Sequence, residues 1–141
     1  MIVLDTNVVS EPMRARGHPA VTAWLDRQVA ETLFLTATSL SELLLGIEVL
    51  QAGRRREELA TGLRALIGSL FGERVLGFDA AAAAVYATLV ARARAGGIAV
   101  SVGDGQIGAI AARHGFAVAT RDRGPFAAMG LLVIDPWTEA G

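Results

Sequence analysis

Ile2-Val3-Leu4-Asp5-Thr6-Asn7 is a run of three apolar residues closed by a carboxylate and followed by two side chains that start helices or turns. A short run that is apolar at consecutive positions, rather than at alternating ones, reads as a strand buried on both faces. The pattern recurs at Leu33-Phe34-Leu35-Thr36, Val75-Leu76-Gly77-Phe78, Ala117-Val118-Ala119-Thr120 and Leu131-Leu132-Val133-Ile134. Helical patterns lie between. Residues 19–29 carry Val21, Trp24 and Leu25 at helical spacing, and 39–50 is apolar almost all round, so this helix is expected to be buried on most sides. Residues 54–70 place Leu59, Leu63, Leu66, Ile67 and Leu70 on one stripe; Asp79 caps an alanine-rich helix to about 95; a further helix spans 103–114. Strands alternating with helices predict a three-layer α/β/α fold with a central parallel sheet. In such sheets the functional crevice lies beyond the carboxyl ends of the strands.

A chain of 141 residues fits a single domain, 1–141. With 52% hydrophobic and 19% charged residues it can bury a core and does not read as disordered. The absence of cysteine excludes disulfides, thiolate metal sites and a thiol nucleophile. Asp5 stands where a signal peptide needs a basic stretch and a long apolar run, so a cytoplasmic location is expected. The longest apolar stretch, 80–91, falls short of the roughly 18–20 residues of a bilayer span, and no membrane association is expected. All thirteen basic residues are arginine and the net charge is −1, so nucleic-acid binding has to use a local patch or a bound cation.

Four acids sit where the crevice should be. Asp5 closes the first strand, Glu42 opens the helix after the second, Asp104 lies in the first turn of its helix, and Asp122 follows Thr120. Like charges in one confined site repel, so a cation is needed to offset them. Oxygen ligands without histidine or cysteine suit Mg²⁺ or Mn²⁺. Each acid also has a structural explanation: Asp5 as a helix cap, Asp104 as a partner of its helix dipole, and Asp122 as a turn former in Asp122-Arg123-Gly124-Pro125. For Glu42 the explanation is a capping box, Ser39-Leu40-Ser41-Glu42. Asp26, Asp79 and Asp135 read as solvated face, cap and turn, and His18 and His114 as peripheral.

Val3-Leu4-Asp5-Thr6-Asn7, Ser41-Glu42-Leu43-Leu44-Leu45-Gly46, Gly103-Asp104-Gly105-Gln106-Ile107-Gly108-Ala109, Ala119-Thr120-Arg121-Asp122 and Ile134-Asp135-Pro136-Trp137 occur in that order. Together they resemble the PIN-domain toxins of the VapC/FitB type, from Met1 to Trp137. The resemblance implies a Mg²⁺- or Mn²⁺-dependent ribonuclease acting on RNA and held inactive by a cognate antitoxin. It assigns Asp5, Glu42, Asp104 and Asp122 to the catalytic, metal-holding site and Thr6, Asn7 and Thr120 to its polar surround. Many relatives read Thr-Arg-Asn with an aspartate three residues later; this chain has Asp122 at the asparagine position and Pro125 at the later one, and its Thr120-Arg121-Asp122 resembles the FitB-like branch. A homodimer is expected through the helices of residues 43–70, and DNA contact only indirectly, through the antitoxin. The alternative is a weakly or non-catalytic dimeric partner of a DNA-binding antitoxin in a regulatory complex.

Three other signals point elsewhere. Gly103-Asp104-Gly105-Gln106-Ile107-Gly108 satisfies the dinucleotide fingerprint, but only 33 residues follow it and its acid would repel a pyrophosphate. Arg54-Arg55-Arg56 reads as a solvated helix face rather than an RNA contact. Trp24 and Trp137 read as packing residues, with no interleaved aromatic and basic pattern for stacking bases.

Overall fold

The computed structural model describes residues 1–139. Strands β1 (Ile2–Leu4), β2 (Leu33–Thr36), β3 (Val75–Leu76), β4 (Ala117–Ala119) and β5 (Val133–Ile134) form one parallel sheet in the order β3-β2-β1-β4-β5. The chain steps outward from β1 through β2 to β3, then returns to place β4 on the other side of β1. The topological switch point therefore lies between β1 and β4, and their carboxyl ends bound the crevice.

The helices are α1 (Thr6–Ser10), α2 (Pro19–Arg27), α3 (Ala37–Glu48), α4 (Arg54–Leu70), α5 (Ala80–Ala95), α6 (Val102–His114) and α7 (Arg123–Ala128). They cover both faces of the sheet, which explains why the strands are apolar without alternation. Val3 and Leu4 are both fully buried, yet Leu4 joins a core with Val8, Trp24, Leu43 and Leu63, whereas Val3 joins one with Val90, Ile107, Phe126 and Met129. Successive strand residues point to opposite faces, and here each face has its own core. Among the described residues no helix is long and apolar enough to cross a membrane.

Two glycines of α6 admit large neighbours, Gly105 from α5 and Gly108 from the segment after α7. A Cβ at Gly105 would lie 2.5 Å from Tyr86 Cε2, and one at Gly108 would lie 2.4 Å from Met129 Cε. The glycine spacing that mimics a dinucleotide fingerprint is thus a packing feature.

Several local expectations are corrected. Helix α3 starts at Ala37, with Thr36 as its N-cap accepting from Ser39 N at 3.0 Å, so there is no capping box at Ser39–Glu42. Ser39 Oγ is buried without a hydrogen-bond partner. Nor is α3 buried on most sides: Ser39, Leu43 and Ile47 face inward, while Leu44 and Leu45 are 47% and 62% exposed. Strand β3 stops at Leu76 and β5 begins at Val133, both shorter than their apolar runs, because only those residues find a neighbouring strand. Helices α1 and α7 are too short to show a periodicity of their own.

Candidate active site

Asp5 follows β1 and caps α1: Thr6 N donates to Oδ1 at 2.8 Å. Its other oxygen, Oδ2, accepts from Thr120 Oγ1 at 2.7 Å and from Asn7 Nδ2 at 3.4 Å. The residue is only 5% exposed. Thr120, fully buried at the end of β4, is reached because Leu4 and Ala119 are paired across the parallel ladder. Its hydroxyl also accepts from Asp122 N at 3.0 Å, and Asn7 Oδ1 accepts from Arg121 N at 3.4 Å. The loop after β4 is in this way laced to α1, and Thr6, Asn7 and Thr120 all stand around Asp5.

Glu42 comes from α3. Its Oε1 accepts from Thr6 Oγ1 at 3.3 Å and lies 3.6 Å from where a Cβ on Gly103 would be, so its carboxylate abuts the first turn of α6. Thr38 Oγ1 donates to Gln106 Oε1 at 3.0 Å and ties the two helices together. Asp104 lies in that same first turn, its backbone N donating to the Ser101 cap at 3.1 Å. Asp122 stands at the N-cap position of α7, but its side chain makes no capping bond and is exposed, so its carboxylate is not used by the turn.

The acids feel one another. Burial pushes Asp5 up to about 6, with Asp104 and Glu42 adding to the rise and the bonds from Thr120 and Thr6 opposing it. Burial also raises Glu42, which feels Asp104, and it raises Asp104, which feels Asp122. All four carboxylates are therefore linked in one negative field. The ion pairs among the described residues are Arg14 with Glu11, Arg56 with Glu48 and Arg113 with Asp79, so none neutralises this cluster. Its donor set is oxygen only, which fits a hard divalent cation. Among the described residues no three acids converge into a ready-made cage for a metal ion.

The remaining acids and histidines serve the framework. Asp79 caps α5 through Ala82 N at 2.9 Å, and Asp135 accepts from Trp137 N at 2.9 Å. His18 caps α2, its Nδ1 accepting from Ala20 N at 3.2 Å, and His114 stacks on Phe116. Buried Glu11 escaped the sequence reading. Its Oε1 accepts from His18 N at 2.9 Å and holds the preceding loop, where a Cβ at Gly17 would meet Glu11 O at 2.7 Å. That loop presents Arg14 and Arg16 to a groove of about 730 Å³ that begins at Thr6 and Glu42. Met13, Leu43, Ile47 and Leu59 line it too, as does Arg55. The three adjacent arginines therefore have different surroundings, since Arg56 pairs with Glu48 at 2.6 Å. No local signal marks this groove, because its walls come from segments distant in sequence.

A family model described as PIN domain matches residues 2–131. The chain is 47% identical to the plasmid stability protein StbB of Pseudomonas syringae pv. tomato, over 97% of this chain and 99% of that protein. It is 46% identical to the VapC ribonuclease Y4jK of Sinorhizobium fredii, over 99% and 100% of the two chains. Identity to the toxin FitB of Neisseria gonorrhoeae is 42%, over 97% and 99%. Among solved structures, FitAcB from Neisseria gonorrhoeae superposes with a TM-score of 0.94 at 41% identity, covering 99% of this chain and 100% of that one. FitAB bound to an IR36 DNA fragment also gives 0.94, at 39% identity, covering 100% and 99%.

Proposed function

The chain belongs to the PIN domain family, and from that premise we propose that it is the toxin of a bacterial toxin–antitoxin pair, a Mg²⁺- or Mn²⁺-dependent endoribonuclease. The whole of 1–141 is read as one PIN-like domain. The observation that carries the proposal is the set of four carboxylates gathered beside the β1/β4 switch point, Asp5 feeling Asp104 and Glu42, and Asp104 feeling Asp122, with no cationic partner among the described ion pairs. Relatives named a VapC ribonuclease and a toxin support it.

Asp5, Glu42, Asp104 and Asp122 would hold the cation. Bound there, it supplies positive charge for a phosphodiester and acidity to water. The protein's own part is positioning. Thr6 N and Thr120 Oγ1 fix both oxygens of Asp5, Thr6 Oγ1 orients Glu42, and Ser101 sets the turn that carries Asp104. The bond from Thr120 lowers the pKa of Asp5, which keeps part of the carboxylate population ionised despite its burial.

The partner is a cognate antitoxin, as the complexed structures of related chains suggest. The groove beside Glu42, apolar in its floor and lined by arginines, suits an amphipathic segment of such a protein. An antitoxin arginine in the acidic cluster would replace the cation's charge. Contact with DNA is assigned to the antitoxin, and the exposed Leu44, Leu45 and Val49 to a second copy of the chain. The likeness to a DNA-bound complex favours one second reading, a non-catalytic partner of a DNA-binding antitoxin. Antitoxin-free protein offered a panel of RNAs separates the two. Mg²⁺-dependent cleavage abolished by EDTA and by Asp104→Asn is expected; intact RNA throughout would leave only the second reading.

A further inference from the structure

Arg121 sits between Thr120 and Asp122, inside the loop that carries two candidate site residues, and its backbone N is bonded to Asn7 Oδ1. Its side chain is exposed, and none of the ion pairs among the described residues includes it, although an acidic cluster lies next to it. Instead the guanidinium carbon lies 5.3 Å from the ring centroid of Trp137. The indole is a fixed shelf. It packs partly buried against the core beneath α1 to α4, follows a buried Pro136, and donates its backbone N to Asp135 Oδ1.

A guanidinium drawn to an indole face by cation–π attraction makes no hydrogen bond there, so N–H donors remain available along its edge. That edge matches the oxygens of a phosphate in a two-point contact. An RNA strand carries a charge at every nucleotide. A cation among the carboxylates answers one phosphate, so a neighbouring phosphate approaching this negative field needs a positive group of its own. The net charge of −1 supplies no general attraction. We propose that Arg121, shelved on Trp137, grips a phosphate of the RNA strand adjacent to the one cleaved. This rests on the ribonuclease reading above.

The test uses the full chain without antitoxin, in EDTA so that nothing is cut, and a fluorescein-labelled single-stranded RNA chosen from those the metal-loaded wild type cleaves. Anisotropy gives Kd across a salt series. One lost phosphate contact flattens the slope of log K against log salt by about 0.7, which corresponds to roughly fivefold weaker binding at ~0.1 M salt. Arg121→Ala and Arg121→Gln should both show this, with melting curves confirming that they fold. Arg121→Lys should keep the slope and lose part of the affinity. Trp137→Leu, which retains apolar volume, should weaken binding, whereas Trp137→Phe should do so less. A purely structural role for Arg121 would move stability and leave the salt slope alone. If folded Arg121→Ala and Arg121→Gln bind with wild-type Kd and slope, the proposal is overturned while the ribonuclease reading stands. If wild type neither binds nor cleaves any RNA, both fall together.

Discussion

Asp5 uses its two oxygens for different ends, one as the cap of α1 and the other toward Thr120 and Asn7. Capping and site membership are therefore compatible in one residue. Its pKa, raised from 3.8 to about 6, means that ionisation is disfavoured in the folded protein. The cost, on the order of 3 kcal/mol, is fully present above pH 6, shrinks as the pH falls through 6, and is gone below about 4, where the carboxyl is neutral folded and unfolded. Glu42 and Asp104 are raised too and act in the same direction. Asp79 is lowered, chiefly by the Ala82 N–H, so its contribution is present above its ordinary pKa and lost in more acidic solution. Melting in EDTA should accordingly show a smaller stability loss between pH 5 and 7.5 in Asp5→Asn than in wild type. Mn²⁺ should raise Tm at pH 7.5, and this gain should fade toward pH 5 as protons compete for the same oxygens; a pH-independent Mn²⁺ shift would argue against the cluster as its site. Glu42→Gln separates charge from shape. Thr36 caps α3, so no cap is lost, and an amide oxygen can still accept from Thr6 Oγ1. The variant should fold and, without metal, be at least as stable as wild type, while RNA cleavage collapses because an amide is a poor ligand for a hard cation. Asp79→Asn, outside the cluster, should cleave RNA near the wild-type rate. Full activity in folded Glu42→Gln would remove Glu42 from the site.

At the level of elements, the glycines of α6 set how closely it approaches α5 and the segment after α7, and hence where Asp104 points. Gly105→Ala forces a methyl against the rigid ring of Tyr86 and should cost about 1–3 kcal/mol, the usual range for overpacking. Gly68→Ala, on an exposed position of α4 with nothing within 4 Å, should do the reverse and stabilise by about 0.5–1 kcal/mol. Urea midpoints for the two variants, with unchanged m-values, check the pair. Equal effects would mean that helix propensity, and not the α5–α6 contact, governs both sites.

For the molecule as a whole, the exposed row on α3 is the feature that a lone chain does not explain. Leu44 and Leu45 are 47% and 62% exposed, and Val49, the residue that caps the helix, is 73% exposed. Sedimentation equilibrium of antitoxin-free protein should give a dimer at micromolar concentration, and Leu45→Glu should shift it toward monomer without lowering the monomer's helix content. A monomeric wild type would leave the row to the antitoxin. Much of this architecture was legible from one sequence because its signals are local. A strand covered on both faces must be apolar at every position, and the acids at strand ends and helix starts stand beside their own elements, so the sequence alone offers Asp5, Glu42, Asp104 and Asp122 as candidates. Folding alone decided what joins distant segments. Thr120 meets Asp5 across 115 positions only through the β1–β4 register, and Arg121 meets Trp137 only because β5 lies parallel beside β4. The start of α3 was ambiguous for a related reason: Thr36, Ser39 and Ser41 can all cap a helix, and it is strand pairing through Thr36 that ends β2 there and leaves Thr36 as the cap. Likewise a helical stripe of leucines records apolarity, not what covers it, so the outward turn of Leu44 and Leu45 is a property of how α3 docks on the core.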